Sequence, residues 1–298
     1  MSFESFISDI SPKNSSQVSI SWEMIRKTIE WKSNVVVQSF LTWSYSRHTK
    51  IDPIDDLDIF FKFNFWWIAL EYIDGGYKIY ITESYETHQL NSFLVFSGNR
   101  YWVSPIKMIN YIWKLVKETY VTTEGQSRSW ECYTVKLSSY NLTIDCVPSV
   151  KINDDYLIPS GWNDLLWKKT NPKIDKIKIE ERNNDFDSKL KGVIKILKYW
   201  NKNKNTWIKF KSYLLECLVY YWFGQCTKNM EYLEILNNVV QYIRNNVDQY
   251  RNIFDLPRYE YMSYYLLDTQ KNRILSKLDD FLEKLDVWEY TTLSYLKE

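Results

Sequence analysis

The chain has 298 residues, enough for one large or two modest domains with substantial cores. Its 38 lysines and arginines balance 37 aspartates and glutamates at a formal net charge of +1, which argues against a general nucleic-acid binder. Hydrophobic residues at 45% and aromatic residues at 17% exclude a disordered chain. No apolar run approaches the roughly 20 residues that span a bilayer.

The first residues, "MSFESFISDISPKNSS", lack a positive start followed by an apolar stretch, so no secretory signal is expected. "WEMIRKTIEW" has the spacing of an amphipathic helix, and "NVVVQSFLTW" the β-branched and aromatic content of a strand. A basic, hydroxyl-rich turn, "SYSRHTKIDP", follows. "LDIFFKFNFWWIALEYI" is too apolar for an exposed element and reads as a central strand with an extension. "GGYKIYITESY" alternates as a strand after a Gly-Gly turn. "SPIKMINYIWKLVKETY" opens with Ser104 as N-cap and Pro105 at the first helical position, and Ile109, Ile112, Trp113 and Val116 form its apolar stripe. "ECYTVKL" and "LTIDCVPSV" read as two further strands.

After Pro159 the pattern turns helical. "DSKLKGVIKILKYW" places Leu190, Val193, Ile194, Leu197 and Trp200 on one face. "KSYLLECLVYYWF", "NMEYLEILNNVVQYIRNNV" and "NRILSKLDDFLEKLDVW" continue it. The expected class is α+β, with a mixed N-terminal domain over 1–165, a helical domain over 166–298 and a hinge within 159–185. Cys132, Cys146, Cys217 and Cys226 show no CxxC spacing and sit mainly in apolar surroundings, so buried reduced thiols in a cytoplasmic protein are expected. His48 and His88 are the only histidines, which argues against a His-based zinc site and against a Ser-His-Asp triad.

The acids carry the chemistry. In a strand, Asp56 and Asp58 project from one face. Unpaired carboxylates flanked by apolar positions would repel and lose hydration, and a hard divalent cation such as Mg²⁺ resolves that conflict. The plainer alternative is an acidic strand end running into solvent. Asp145 is another lone acid in an apolar strand-like run, and the plain alternative for it is a turn-capping or salt-bridged aspartate. If the two strands pair side by side, three carboxylates converge and can hold two metals, the arrangement for in-line nucleotidyl transfer. Ser44, Tyr45, Arg47 and Thr49 lie on a turn and helix start just upstream, where backbone N–H groups and a hydroxyl can hold a triphosphate. Lys198, beside its helical stripe, and Lys211, Ser212 and Tyr213, opening the next helix, would complete such a clamp; taken singly they are a solvated lysine and an ordinary first turn.

Five motifs in order, "SYSRHTKIDPIDDLDIFF", "IDCVPSV", "LIPSGWNDLLWKKTNP", "LKGVIKILKYWNKN" and "KSYLLECLVYYWF", resemble the cGAS/DncV-like nucleotidyltransferases (CD-NTases), over about residues 35 to 223. The resemblance implies a Polβ-like core with a mixed β-sheet, a C-terminal helical lobe of the PAP/OAS type, and an active site in the cleft between them. It implies Mg²⁺-dependent synthesis of cyclic or short linear oligonucleotide signals from nucleoside triphosphates in anti-phage (CBASS) defence. Two Mg²⁺ ions, for which Mn²⁺ can substitute, would be held by Asp56, Asp58 and Asp145, with Asp145 also helping to deprotonate the attacking hydroxyl. Ser44, Lys198 and Ser212 would contact the triphosphate, Arg47 and Thr49 belong to the same motif, and Tyr213 would either stack on the donor base or pack internally. A regulatory partner or a downstream effector is implied; no membrane and no stable nucleic-acid partner is. Trp43 departs from the pattern, since the family has glycine there to let backbone approach phosphate. Two alternatives stand beside this reading: nucleotidyl transfer onto tRNA or protein, and a catalytically silent nucleotide-binding relative.

Overall fold

A computed structural model describes residues 2–13, 16–65, 67–73, 76–82, 90–119, 126–128, 131–137, 141–160, 165–205, 210–247, 255–256, 268–285 and 289–297. The ends of three stretches read above as elements, 83–85, 120 and 286–288, lie outside these residues, as do Trp66 of the central-strand stretch, Gly75 of the Gly-Gly turn and residues 161–164 of the third motif.

The elements follow as α1 (Phe3–Ile10), α2 (Ser16–Lys32), β1 (Val36–Leu41), α3 (Trp43–Ser46), β2 (Asp56–Phe63), β3 (Ile68–Ile73) and β4 (Gly76–Ile81). A 3₁₀ turn (Asn91–Phe93) leads into β5 (Leu94–Ser97), β6 (Arg100–Val103) and α4 (Pro105–Lys117). Next come β7 (Gln126–Arg128), β8 (Tyr133–Leu137), β9 (Leu142–Ile152), β10 (Asp155–Pro159) and β11 (Trp167–Thr170). The remaining elements are helical: α5 (Pro172–Asp185), α6 (Lys189–Asn203), α7 (Ser212–Phe223), α8 (Tyr232–Asn245), α9 (Asp268–Leu285) and α10 (Glu289–Lys297). No described helix is long and apolar enough to cross a membrane.

The chain divides into two compact units. One holds residues 14–43 and 54–172, the other 1–13, 44–53 and 173–298. A single boundary near 165 therefore misses the N-terminal segment and the 44–53 segment, both of which belong with the helices. The physical reason lies in two sets of contacts. Phe3, Phe6 and Ile10 of α1 are buried in one core with Leu190, Val193, Leu197 and Trp200, and Arg47 ion-pairs with Glu216 of α7. Fully burying a phenylalanine is worth about 1.5–3 kcal/mol, which accounts for the α1 attachment.

In the first unit the strands form one mixed sheet, with the path β1-β2-β9-β10-β11-β4-β6-β5 and with β3, β7 and β8 joined at its sides. β2 is flanked by β1 antiparallel and β9 parallel. That interior position explains its continuous apolar run: Ile59, Phe60, Phe61 and Phe63 are all buried. The run ends at Phe63, however, and the segment read as an extension is a separate strand, β3, which among the described residues pairs with β4 alone. Trp67, at φ 58, marks the break. Gly76 is required where β4 meets β11, because a Cβ there would lie 2.6 Å from the Trp167 carbonyl oxygen.

α4 packs on β9, and α2 lies against α4 and β1. Ser104 caps α4, accepting from the Lys107 N–H, and Pro105 occupies the first turn as its sequence requires. Ile109, Ile112 and Val116 are buried, but Trp113 is 39% exposed, so the apolar stripe is narrower than its sequence suggested.

In the helical unit all five stripe residues of α6 are buried, and the Trp200 ring stacks on Phe281 at 5.3 Å. α6 starts after two residues at positive φ, Asp187 and Ser188, and the Asn183 side chain accepts from the Lys191 N–H to satisfy its first turn. The four cysteines are free thiols, three of them buried.

Candidate active site

The pairing of β2 with β9 places Asp58 directly beside Asp145, with Asp56 beside Thr143 one step along. Strand alternation then puts Asp56, Asp58, Thr143 and Asp145 on one face of the sheet. The opposite face holds Leu57, Ile59, Ile144 and Cys146, all buried, whereas Asp58 and Asp145 are half-buried and Asp56 is exposed. Further along, the carboxylate face closes over Phe60, Val147 and Ile158, a small apolar cluster at its back.

β8 extends the row by one strand. Thr134 pairs with Asp145 and its hydroxyl donates to Asp145 Oδ1 at 2.6 Å. Lys136 pairs with Thr143, so an exposed cation shares the carboxylate face. Neither residue was singled out from sequence, and only the pairing of β8 with β9 could have marked them. On the other flank, the Thr42 N–H and hydroxyl both donate to the Asp58 carbonyl, at 3.0 and 3.3 Å. Ser44 follows two residues later.

An all-oxygen donor set on one face matches what a hard divalent cation takes. The backbone register fits such an ion. The side-chain oxygens have not been drawn together around one: among the described residues no three His, Cys, Asp or Glu side chains are close enough to chelate.

The other sequence-selected residues fall in the helical unit. Ser212 is exposed at the first position of α7, at a helix N-terminus, and Ser44 is half-buried in α3. Arg47, Thr49, Lys198 and Tyr213 meet in one buried cluster with two acids that sequence reasoning passed over, Glu216 of α7 and Asp175 of α5. Glu216 Oε2 accepts from Arg47 Nε at 2.7 Å. Its Oε1 accepts from Lys198 Nζ at 2.5 Å and from the Thr49 hydroxyl at 3.1 Å. Asp175 Oδ2 lies 3.5 Å from Arg47 Nη1, while Oδ1 accepts from the Tyr213 hydroxyl at 3.1 Å. The Arg47 guanidinium stands over the Tyr213 ring at 5.1 Å.

The charges in this cluster settle unequally. Burial alone would raise Glu216, but Arg47 and Lys198 together hold its carboxyl down at about 2, so it stays ionised. Burial lowers Lys198, with Glu216 opposing only in part. For Arg47, burial is outweighed by Glu216 and Asp175, which keep the guanidinium charged. Asp175 goes the other way: burial pushes it up to about 6 because its ion pair with Arg47 is long. Arg47 and Lys198 thus spend their charge inside the protein in this structure. A lone glutamate in "YLLECLVYYWF" was the available signal for this cluster, of the same kind that pointed to Asp145.

No family profile matches the chain. Among solved structures, the whole chain superposes on CdnC of E. coli MS115-1 in a complex with HORMA-deltaN, at TM-score 0.68 and 11% identity, covering 99% of this chain and 95% of CdnC. It superposes equally on CdnC with ATP, at TM-score 0.68 and 12% identity, covering 100% of this chain and 96% of that one. The CdnE cyclic dinucleotide synthase of Elizabethkingia meningoseptica, with GTP and Apcpp, aligns at TM-score 0.65 and 16% identity, over 95% and 97% of the two chains. The fold is that of CdnC and CdnE.

In sequence, a "Probable cyclic nucleotide synthase" of Bacillus cereus (strain VD146) is 29% identical over 210 residues, which are 66% of this chain and 61% of the relative. The match thus spans about three fifths of the relative's length. Both comparisons agree with the resemblance to cGAS/DncV-like nucleotidyltransferases carried by the motifs.

Proposed function

We propose that this protein is a nucleotidyltransferase that joins nucleoside triphosphates into a cyclic or short linear oligonucleotide, releasing pyrophosphate. One observation carries the reading: Asp58 and Asp145, 87 residues apart in the chain, are register partners on parallel strands, with Asp56 on the same face. Likeness to a probable cyclic nucleotide synthase and to CdnE supports the product class. The nucleotides named with CdnC and CdnE support nucleoside triphosphates as substrates.

In this reading Asp56, Asp58 and Asp145 hold two Mg²⁺ ions, with Mn²⁺ able to substitute. Such ions, when bound, acidify an attacking hydroxyl and stabilise the leaving pyrophosphate. The Thr134 hydroxyl fixes the orientation of Asp145 so that its second oxygen can take up the proton of the acceptor hydroxyl. The half-buried Ser44 hydroxyl and the Ser212 helix N-terminus contact phosphate oxygens. A cytoplasmic role in anti-phage signalling, with a regulatory partner and a downstream effector, follows from the motif resemblance alone.

The test is incubation with all four labelled nucleoside triphosphates and Mg²⁺ or Mn²⁺, with mass spectrometry of the products. Pyrophosphate and an oligonucleotide are expected, and Asp56→Asn with Asp58→Asn should remove both while leaving the circular dichroism spectrum unchanged. Label in RNA or protein alone selects transfer to a macromolecule. Nucleotide binding without turnover, relieved in Trp43→Gly, selects a silent relative in which Trp43, directly before Ser44, blocks phosphate placement.

A further inference from the structure

We propose that Glu216 is a positioning residue, which sets the 44–49 turn from α7 through Arg47 and Thr49. The functional weight of the turn rests on the nucleotidyltransferase reading; the geometry does not. Glu216 is completely buried among Leu214, Leu215, Cys217 and Leu218. A carboxylate in such surroundings is tolerated only when both its oxygens are well paired.

Both oxygens of Glu216 are paired, and both reach the same turn. One takes Arg47, three residues after Ser44, and the other takes Thr49, five residues after it. The Thr49 N–H in turn donates to the Ser44 carbonyl at 3.0 Å, closing the turn on itself. A single side chain on a packed helix therefore fixes the backbone path that carries the Ser44 hydroxyl.

Lys198 joins the same frame: it is 5% exposed and its Nζ sits on the Glu216 oxygen that also receives the Thr49 hydroxyl.

Amide hydrogen exchange on the intact protein, without nucleotide, tests the frame directly. In Glu216→Gln, peptides covering 44–49 should exchange at least ~10-fold faster, while those of β2 and β9 keep their wild-type rates. Unchanged exchange at 44–49 in a folded variant overturns the proposal. If Glu216→Gln does not fold, Thr49→Val removes only the hydroxyl: about threefold faster local exchange is expected, and none overturns it.

In an active enzyme, Glu216→Gln should raise the KM for ATP at least ~10-fold with kcat within about threefold, and an unchanged KM overturns the positioning role. An enzyme that makes no product in any variant refutes the nucleotidyltransferase reading, while the exchange result still decides the frame.

Discussion

Replacing Asp175 by asparagine keeps the side-chain shape and an acceptor for the Tyr213 hydroxyl, while removing a carboxylate that burial pushes up to about 6 from an ordinary 3.8. A gap of about 2 pK units corresponds to about 3 kcal/mol. The folded protein binds this proton more tightly than the unfolded chain does. The stability it contributes is therefore complete below pH 3.8 and lost as the pH rises through about 6. Asparagine resembles the protonated acid and suffers no such loss. Urea unfolding of both proteins from about pH 4.5 to 7.5 should show the stability of Asp175→Asn, relative to wild type, climbing by about 2 kcal/mol across that window. Glu216, held down at about 2, stays ionised throughout, and every other group titrates in both proteins and cancels. A flat difference refutes the reasoning. A difference that shrinks with rising pH refutes it more strongly, because the Arg47 pair at 3.5 Å would then outweigh desolvation.

Two further substitutions test other parts of the structure. Thr134→Val deletes the donor to Asp145; a hydrogen bond to a charged group contributes about 1.5–3 kcal/mol to stability, so the melting temperature should fall by a few degrees, and pyrophosphate release should fall roughly tenfold because Asp145 loses its fixed orientation. Wild-type turnover in that variant removes Thr134 from the site. Gly76→Ala sets a methyl group 2.6 Å from the Trp167 carbonyl oxygen and should cost roughly 1–3 kcal/mol in urea unfolding, and an unchanged midpoint would show that β4 and β11 separate freely.

The carboxylate face was legible because its signal is local. A lone acid in an apolar run is costly wherever the run is buried, and that reasoning singled out Asp58 and Asp145, whose meeting depended on their two strands pairing as they do. The same reasoning applies to Glu216, yet an isolated acid announces only that it has a partner, and the partner here lies 169 residues away in Arg47. Arg47, Thr49 and Lys198 were picked out by the spacing of a motif, and spacing carries no information on how deeply they are buried. β5 and β6 were missed although "SGNR" holds a turn dipeptide: Gly98 and Asn99 both take positive φ, a tight hairpin between strands too short to show alternation. The 56–73 run concealed a break because both strands are rich in bulky apolar residues, and only Asn64 hinted at it.

The helical unit is assembled from three stretches of chain, 1–13, 44–53 and 173–298. It is consequently not a module that one cut can release. A fragment beginning at Lys173 would lack Phe3, Phe6 and Ile10 from its core and would carry Glu216 without Arg47. Grafting this unit onto the sheet-bearing half of a relative would require four coordinated junctions. Recombination in this architecture should therefore exchange whole chains far more readily than halves.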